Sequence, residues 1–461
     1  MEEMNEFSVS GQHVVVVGAA RSGVAAAELL VSRGARVTLT DLRPALDEAS
    51  RLRAAGVALD LGGHSDEIFR TAGLVVLSPG VPADLPALEA ARQRGVAVIG
   101  ELELAWRWLK GRVIAISGTK GKSTTTTLTG RMLQAAGLPA VVGGNIGSAL
   151  SAQVDASTPE TLHVVEVSSF QLETADTFHP WIAVLMNFSA DHLDRHKTID
   201  AYGAAKARLF AHQTSDDWAV VNADDDAAEA LARGARARRF DFSKLGQIEE
   251  GIVVHDHHVV RRQNGNNEPL VPMSSIRLLG PHLVDDVLAA AAVGSLVGVT
   301  SGAMQKAIED FHGLEHALEP AGEVGGVRFV NDSKATNIEA ARRSLESFDS
   351  GVVAIIGGRF KGGDFRDLRQ AARGRVAAVV AIGEARELVR DALGDQLPVH
   401  EAATMADAVR AAFAAAAPGG VVLLAPACAS FDMFRDYAER GRSFKEEVRR
   451  LGDEWSTRRE Q

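Results

Sequence analysis

The stretch Val113-Ile114-Ala115-Ile116-Ser117-Gly118-Thr119-Lys120-Gly121-Lys122-Ser123-Thr124 decides how this chain reads. An apolar, β-prone run closes on a glycine loop, and a Thr- and Leu-rich stretch follows. Strand, loop and helix start therefore arrive in the order that a phosphate cradle needs, which points to ATP chemistry. Backbone N–H groups of such a loop and the positive end of the helix dipole hold phosphates. Lys122 faces them, and the Ser123 hydroxyl can ligate Mg2+. Ile116 stands where the general GxxxxGK[ST] pattern has its first glycine, so the match to that pattern is partial. The plain alternative is a glycine turn that merely closes a strand–helix unit. The coincidence of loop, lysine and hydroxyl favours the nucleotide.

Around this centre the chain is large enough for several cores. With 461 residues, 46% of them hydrophobic, it exceeds the size at which one core keeps growing, and three domains are expected. The net charge of -11 argues against nucleic acid as a partner, so an anionic substrate must be met by local cations and helix ends. A single cysteine, Cys428, forms no internal disulfide, and the first residues lack a basic segment followed by an apolar signal core; a soluble cytoplasmic protein, most simply a monomer, is expected. The longest clean apolar stretch, Val287 to Val299, has 13 residues, too few to cross a bilayer, so no membrane insertion is expected.

Upstream of the loop, the four-valine run Val14–Val17 leads into the turn Gly18-Ala19-Ala20-Arg21-Ser22-Gly23, a helix-compatible run to Ser32, and a second strand ending at Asp41. This is a βαβ unit resembling a dinucleotide site, but Ala20 takes the place of the second glycine, where a side chain obstructs a pyrophosphate; NAD is the weaker reading. Apolar runs at Leu74–Leu77 and Val96–Ile99 also end in small or polar residues, which puts a cleft along one sheet edge. Downstream, Leu162–Ser169 reads as a buried strand interrupted by Glu166. A carboxylate there needs a cation, so Glu166 is a candidate Mg2+ ligand, with a buried ion pair as the alternative. His255, His257 and His258 around Asp256 read as a hairpin turn rather than a metal cluster, and Gln263–Asn267 as a surface loop. From Leu314 on, apolar runs at Val327–Val330, Val352–Ile356, Val376–Ile382 and Val421–Leu424 alternate with Ala- and Arg-rich helical stretches, the pattern of a parallel sheet covered on both faces. No solenoid-period repeat is present. The fold class is thus α/β in three domains: a Rossmann-like one over 1–106, a central P-loop ATPase-like one over 107–313, and a Rossmann-like one over 314–461.

Six strings carry a resemblance. They are Gly118 to Thr124, Gly143-Gly144-Asn145-Ile146-Gly147, Glu166 to Glu173, Asp191-His192-Leu193-Asp194-Arg195, Asn331-Asp332-Ser333-Lys334-Ala335-Thr336-Asn337 and Pro426 to Asp432. In this order they are similar to the Mur ligases of peptidoglycan synthesis, and within that family to the branch that joins D-glutamate to UDP-N-acetylmuramoyl-L-alanine. The resemblance implies an ATP-dependent ligase with an acyl-phosphate intermediate. A carboxylate is a poor acyl donor, so ATP first supplies a leaving group, and the amine of D-glutamate then displaces phosphate.

The family's roles fall on matching positions. ATP would be held by Gly118, Thr119, Lys120, Gly121, Lys122, Ser123 and Thr124, with Asp332 and Lys334 near its ribose and phosphates. Catalysis would rest on Lys122, Glu166, His192 and Lys206. Ser123 and Glu166 would hold one Mg2+, and His192 and Lys206 would serve a second metal site. An ammonium cannot ligate a cation, but the family's corresponding lysine is carbamylated, and Tyr202-Gly203-Ala204-Ala205-Lys206 matches its context. The UDP substrate would meet Ser22, Asp41, Arg43, Ser78, Asn145, Ser168 and His192, with Arg21 a further anion partner. D-Glutamate would meet Thr336, Lys361, Ser430 and Tyr437, with Ser430 ahead of a helix-like run from Asp432.

Some positions depart from the family. His282-Leu283-Val284-Asp285-Asp286 stands where it has His-Asn and a second Asn three residues on. His316-Ala317 replaces His-Arg, and Lys120 stands where Asn is frequent. Lys120 or Arg359 is expected to restore the missing charge. Competing readings are a folylpolyglutamate synthase-like ligase and a nucleotide-dependent regulatory protein without catalysis. Because water would hydrolyse an acyl phosphate, closure of the third section on substrate binding is expected.

Overall fold

The computed structural model describes residues 7–277 and 283–459. They divide into two compact units: residues up to 276 with 284–310, and 277 and 283 with the residues from 311 on.

In the first unit, β1 (His13–Val17), β2 (Arg36–Asp41), β3 (Ala58–Leu61), β4 (Leu74–Leu77) and β5 (Ala97–Gly100) form a parallel sheet in the order β3-β2-β1-β4-β5. Val14 to Val17 are completely buried, as a central strand covered on both faces requires. Chain order reverses between β1 and β4. Gly18 and Ser78 follow the C-terminal ends of these two strands, so the crevice of the topological switch point opens between them.

The second parallel sheet comprises β6 (Arg112–Ser117), β7 (Ala140–Gly144), β8 (Leu162–Glu166), β9 (Ile182–Leu185), β10 (Trp218–Val221) and β11 (Arg238–Arg239), ordered β11-β10-β9-β6-β8-β7. β6 lies between β8 and β9, with Ile116 level with Glu166 and Ser117 level with Leu185. The glycine loop after β6 is therefore flanked by the ends of both neighbours. Helix Lys122–Ala135 follows, and its threonines return their hydroxyls to carbonyls one turn back, Thr126 to Lys122 at 2.7 Å and Thr127 to Ser123 at 2.8 Å. The two sheets share one unit because helix Glu101–Trp106 serves both cores, Leu104 in the first and Leu102 and Ala105 in the second. Glu103 of that helix accepts the N–H groups of Asp176 and Thr177, each at 2.9 Å.

A small sheet, β12 (Phe242–Ser243), β13 (Gly251–His255), β14 (His258–Gln263) and β15 (Asn266–Pro272), completes the unit. His255 pairs with His258 across a turn in which Asp256 and His257 have φ of 46° and 58°, so the histidine cluster is a hairpin, as its pattern predicts. Gln263–Asn267 is exposed, as a surface loop requires. It is a second hairpin turn rather than a plain loop, because Asn264 and Gly265 (φ 52° and 74°) accept the left-handed geometry that such a turn demands.

The second unit is built on β16 (Glu319–Val324), β17 (Val327–Asn331), β18 (Val352–Gly357), β19 (Val376–Ile382), β20 (Val399–Glu401) and β21 (Val421–Leu424), ordered β16-β17-β21-β18-β19-β20. Val352, Ala354 and Ile356 enter one core and Val353 and Ile355 the other, the alternation of a strand covered on both faces. The four strands expected from apolar runs are present. β16 and β20 were invisible to that criterion because edge strands need little apolar sequence, and β16 joins antiparallel.

Candidate active site

Gly118 and Gly121 (φ 150° and 83°) give the loop between β6 and its helix a path that other residues resist. Asn187, just past β9, holds it in place: its Oδ1 accepts the N–H groups of Thr119 (3.1 Å) and Lys120 (2.9 Å), and its Nδ2 donates to Lys120 O. Thr119 Oγ1 meets the Tyr202 hydroxyl at 3.2 Å. Lys122 Nζ donates to the carbonyls of Gly118 and Thr119, both at 2.9 Å, so its ammonium lies at the loop itself. Lys206 approaches from helix Ile199–Ala207 and donates to Gly118 O at 2.8 Å. It is 1% exposed. Burial, with Lys122 adding repulsion, pushes its pKa well below the ordinary lysine value.

Glu166, at the end of β8, is 2% exposed. Its Oε1 accepts from Asn145 Nδ2 at 2.7 Å, while the buried Oε2 meets no hydrogen-bond partner among the described residues. An orphaned carboxylate oxygen beside a phosphate loop fits a hard cation such as Mg2+. Ser123 lies in the first turn of the adjacent helix. Among the described residues, no group of three or more His, Cys, Asp or Glu side chains converges as a ready-made metal site. His192 adopts a left-handed conformation (φ 55°) at the start of helix Leu193–His196, with its ring edge-on to Phe170 at 5.0 Å. Both cations expected to replace lost charge have acidic partners, Lys120 with Asp191 at 2.9 Å and Arg359 with Glu384 at 3.0 Å. Burial alone would raise the Asp191 carboxyl, but the Lys120 ammonium together with His192 outweighs it and leaves the group below its usual range.

A cavity of about 440 Å3 opens at the switch point of the first sheet. Of the residues expected to meet a UDP substrate, Ser22, Asp41, Arg43, Ser78 and Asn145 line it, together with Arg21; Ser168 and His192 do not. Asp41 accepts the Ala19 N–H at 2.6 Å and grips the Arg43 guanidinium at 2.9 Å, which holds its carboxyl far below the usual range. Ser78 Oγ donates to Gly18 O at 2.7 Å and ties the ends of β1 and β4 together. Ser168 instead caps helix Ser169–Glu173 in a capping box with Gln171.

In the second unit, Lys361 Nζ lies 3.5 Å from Thr336 Oγ1, so these two of the expected amino-acid contacts come together. Ser430 is buried, and its carbonyl accepts the N–H groups of Met433 and Phe434. The helix expected from Asp432 begins instead at Tyr437, because Asp436 Oδ1 accepts the Glu439 N–H at 2.7 Å and caps it there. Asp332 faces inward, accepting from Ser344 Oγ and the Leu318 N–H, and burial pushes its pKa up to about 6. The unfolded chain releases this proton near 3.8 and the folded chain near 6, so the group's contribution to stability falls as pH rises through that window and is flat above it. Thermal unfolding of Asp332→Asn against the parent should show a difference that moves in the variant's favour between these two values; a constant difference would count against it. Lys334 donates its backbone N–H to His316 O at 3.0 Å.

Asn187, Tyr202 and Asp286 also shape the loop, and none was given a role from sequence. Asn187 and Tyr202 carry no motif of their own; only the position of β9 and its following helix reveals their contacts. His282 lies outside the described residues, and Ala317 forms part of a tight turn with Leu314.

Comparison with known proteins completes the description. Residues 12–100 match the MurD-like N-terminal domain of Mur ligases, residues 116–294 the Mur ligase middle domain and residues 318–428 the Mur ligase glutamate ligase domain. The chain is 47% identical over 447 residues to the UDP-N-acetylmuramoylalanine–D-glutamate ligase of Acidobacterium capsulatum, covering 96% of this chain and 97% of that one. It is 45% identical over 446 residues to the enzyme of the same name from Geotalea uraniireducens, covering 95% and 98%. Among solved structures, the UDP-N-acetylmuramate-alanine ligase of Thermotoga maritima shares the fold with a TM-score of 0.62 at 19% identity, covering 95% of this chain and 99% of that one.

Proposed function

Since the chain belongs to the Mur ligase family, we propose that the loop, the buried carboxylate and the switch-point cavity perform the family's ATP-driven amide synthesis on UDP-N-acetylmuramoyl-L-alanine and D-glutamate. It is an ATP-dependent ligase of peptidoglycan precursor synthesis, and relatives at 41–47% identity over nearly their full length are named UDP-N-acetylmuramoylalanine–D-glutamate ligases. The observation that carries the reading is the placement of Lys122 at a loop flanked by Glu166, with the cavity of Ser22, Asp41, Arg43, Ser78 and Asn145 in the same compact unit.

In this reading the loop amides and Lys122 bind the ATP phosphates, and the Lys122 ammonium offsets the charge that repels an incoming carboxylate. The muramoyl-alanine carboxylate attacks the γ-phosphorus, ADP leaves, and an acyl phosphate forms. The D-glutamate amine then attacks the acyl carbon, phosphate leaves, and the amine loses a proton. Ser123 and Glu166 would hold Mg2+, which when bound supplies charge neutralisation at the phosphates. Asn145 fixes the rotamer of Glu166 through its 2.7 Å hydrogen bond. Burial lowers the Lys206 pKa and so favours the neutral amine, the form that adds carbon dioxide to give a carbamate and a proton, and with His192 it would serve a second cation. Asp332 and Lys334 belong with the nucleotide, and Thr336, Lys361, Ser430 and Tyr437 with D-glutamate. The protein acts as a cytoplasmic monomer; no helix among the described residues is long and apolar enough to cross a membrane.

Phosphate release that requires ATP, UDP-N-acetylmuramoyl-L-alanine and D-glutamate together, and that L-glutamate does not support, tests this function. Release with neither acceptor nor donor present would sink it. Glu166→Gln keeps an acceptor for Asn145 but removes the negative charge. It should raise the Mg2+ concentration needed for half-maximal rate and lower kcat by about a hundredfold; an unaltered Mg2+ dependence would remove Glu166 from the metal.

A further inference from the structure

We propose that Asp286 is a positioning residue of the phosphate loop that works as an uncharged acid, so that the loop accepts ATP only while Asp286 keeps its proton. The inference rests on the ATP-site reading above.

Asp286 lies in helix Leu283–Val297 and is 2% exposed. Its Oδ1 accepts from Thr125 Oγ1 at 3.2 Å, on the helix that the loop opens. The same oxygen lies 2.2 Å from where a Cβ on Gly121 would be, so the loop's second glycine rests directly on this carboxyl. The other oxygen, Oδ2, is buried and meets no hydrogen-bond partner among the described residues. Met186, following β9, closes a further side: its methyl carbon lies 3.5 Å from the same Gly121 Cβ position, and its sulfur 3.4 Å from Thr125 Oγ1.

Among the described residues, the charged groups around it offer no compensation. Asp285, the neighbour on its own helix, is negative and is engaged by Lys244 at 3.0 Å, with Asp224 beyond. The loop helix presents the Thr125 hydroxyl and the β9 end a thioether, and none of the interactions acting on Asp286 comes from a cation. Burial, reinforced by Asp285, pushes its pKa well above the usual carboxylate range against the pull of the Thr125 hydroxyl. An ionised Asp286 would be an unpaired buried anion in contact with a loop built to hold a polyanion. It would repel the phosphates and demand water that the contact with Gly121 excludes.

The sign follows from linkage. ATP binds the protonated form better, so affinity is retained below the carboxyl's raised pKa and falls above it, by up to about tenfold per pH unit. The dissociation constant of ATP with Mg2+ present should be measured by calorimetry on the full chain from about pH 5.5 to about pH 9.5, a range that begins above the ordinary carboxylate pKa. For the parent protein the constant at the upper limit should exceed that at the lower by about tenfold or more, whereas for Asp286→Asn the ratio should be close to one. Parallel profiles would overturn the proposal. Thr125→Val offers a second variant should the first fail to fold: losing the hydroxyl that favours the ionised form should move the fall in affinity to higher pH, and an unmoved profile is again fatal. A parent protein that binds no ATP at any pH overturns the ATP-site reading and this inference together, whereas ATP binding with parallel profiles overturns this inference alone.

Discussion

Lys122→Ala is expected to lower kcat/KM for ATP by about a hundred- to a thousandfold, the loss that follows removal of one group stabilising transition-state charge. Its ammonium sits within 2.9 Å of the carbonyls of Gly118 and Thr119, and among the described residues no other cation is placed to substitute for it: Lys120 is held by Asp191, and Lys206 is buried with its pKa depressed. ADP formation in the presence of both co-substrates measures the effect. An unfolding midpoint within a few degrees of the parent would separate chemistry from folding. Full activity in this variant would remove phosphoryl transfer from the loop and with it the proposed mechanism.

Gly23→Ala should be among the most destabilising single substitutions in the first unit. A Cβ at Gly23 would lie 1.8 Å from Gly18 O and 2.6 Å from Ser78 Oγ. Gly18 O is backbone, fixed by the β1 strand and already accepting the Ser78 hydroxyl at 2.7 Å, so no rotamer change relieves the overlap. Helix Arg21–Ser32 must move away from β1 or the turn must open; either change costs about 3 kcal/mol or more and deforms the UDP cavity. Gly80 supplies the control. It lines the same cavity, but an added Cβ meets nothing within 4 Å, so Gly80→Ala should change stability by no more than about 0.5 kcal/mol. Denaturant midpoints compare the two. Equal midpoints would show that the turn tolerates bulk at Gly23.

Much of the site was legible because its residues sit at strand ends in continuous strings. Gly118 to Thr124 announces its own geometry, since only glycine accepts the φ of 83° at Gly121 ahead of a helix start. Glu166 stood out as an acid inside a buried run, and the structure gives it one amide partner and one orphaned oxygen. Ser22, Asp41, Arg43 and Ser78 come together because each lies at or just beyond the end of β1, β2 or β4, and a switch point in chain order gathers those ends. Ser168 went the other way. Its hydroxyl satisfies the Gln171 N–H at 3.3 Å, a local demand of helix capping that sequence shows as clearly as any substrate role.

By itself the sequence determined the apolar central strands, the loop, the three α/β sections and the family, because apolar periodicity and glycine placement act over a few residues and need no distant partner. Tertiary structure alone decided which side chains meet across long separations. Asn187 reaches the loop from 67 residues away, and Asp286 reaches Thr125 from 161. It also decided the charge these groups carry. Apart from the family resemblance, Lys206 and Asp286 read as an ordinary cation and an ordinary anion along the chain, and burial shifts both toward neutrality, because the free energy of an ion depends on the water around it and sequence does not say where water is excluded.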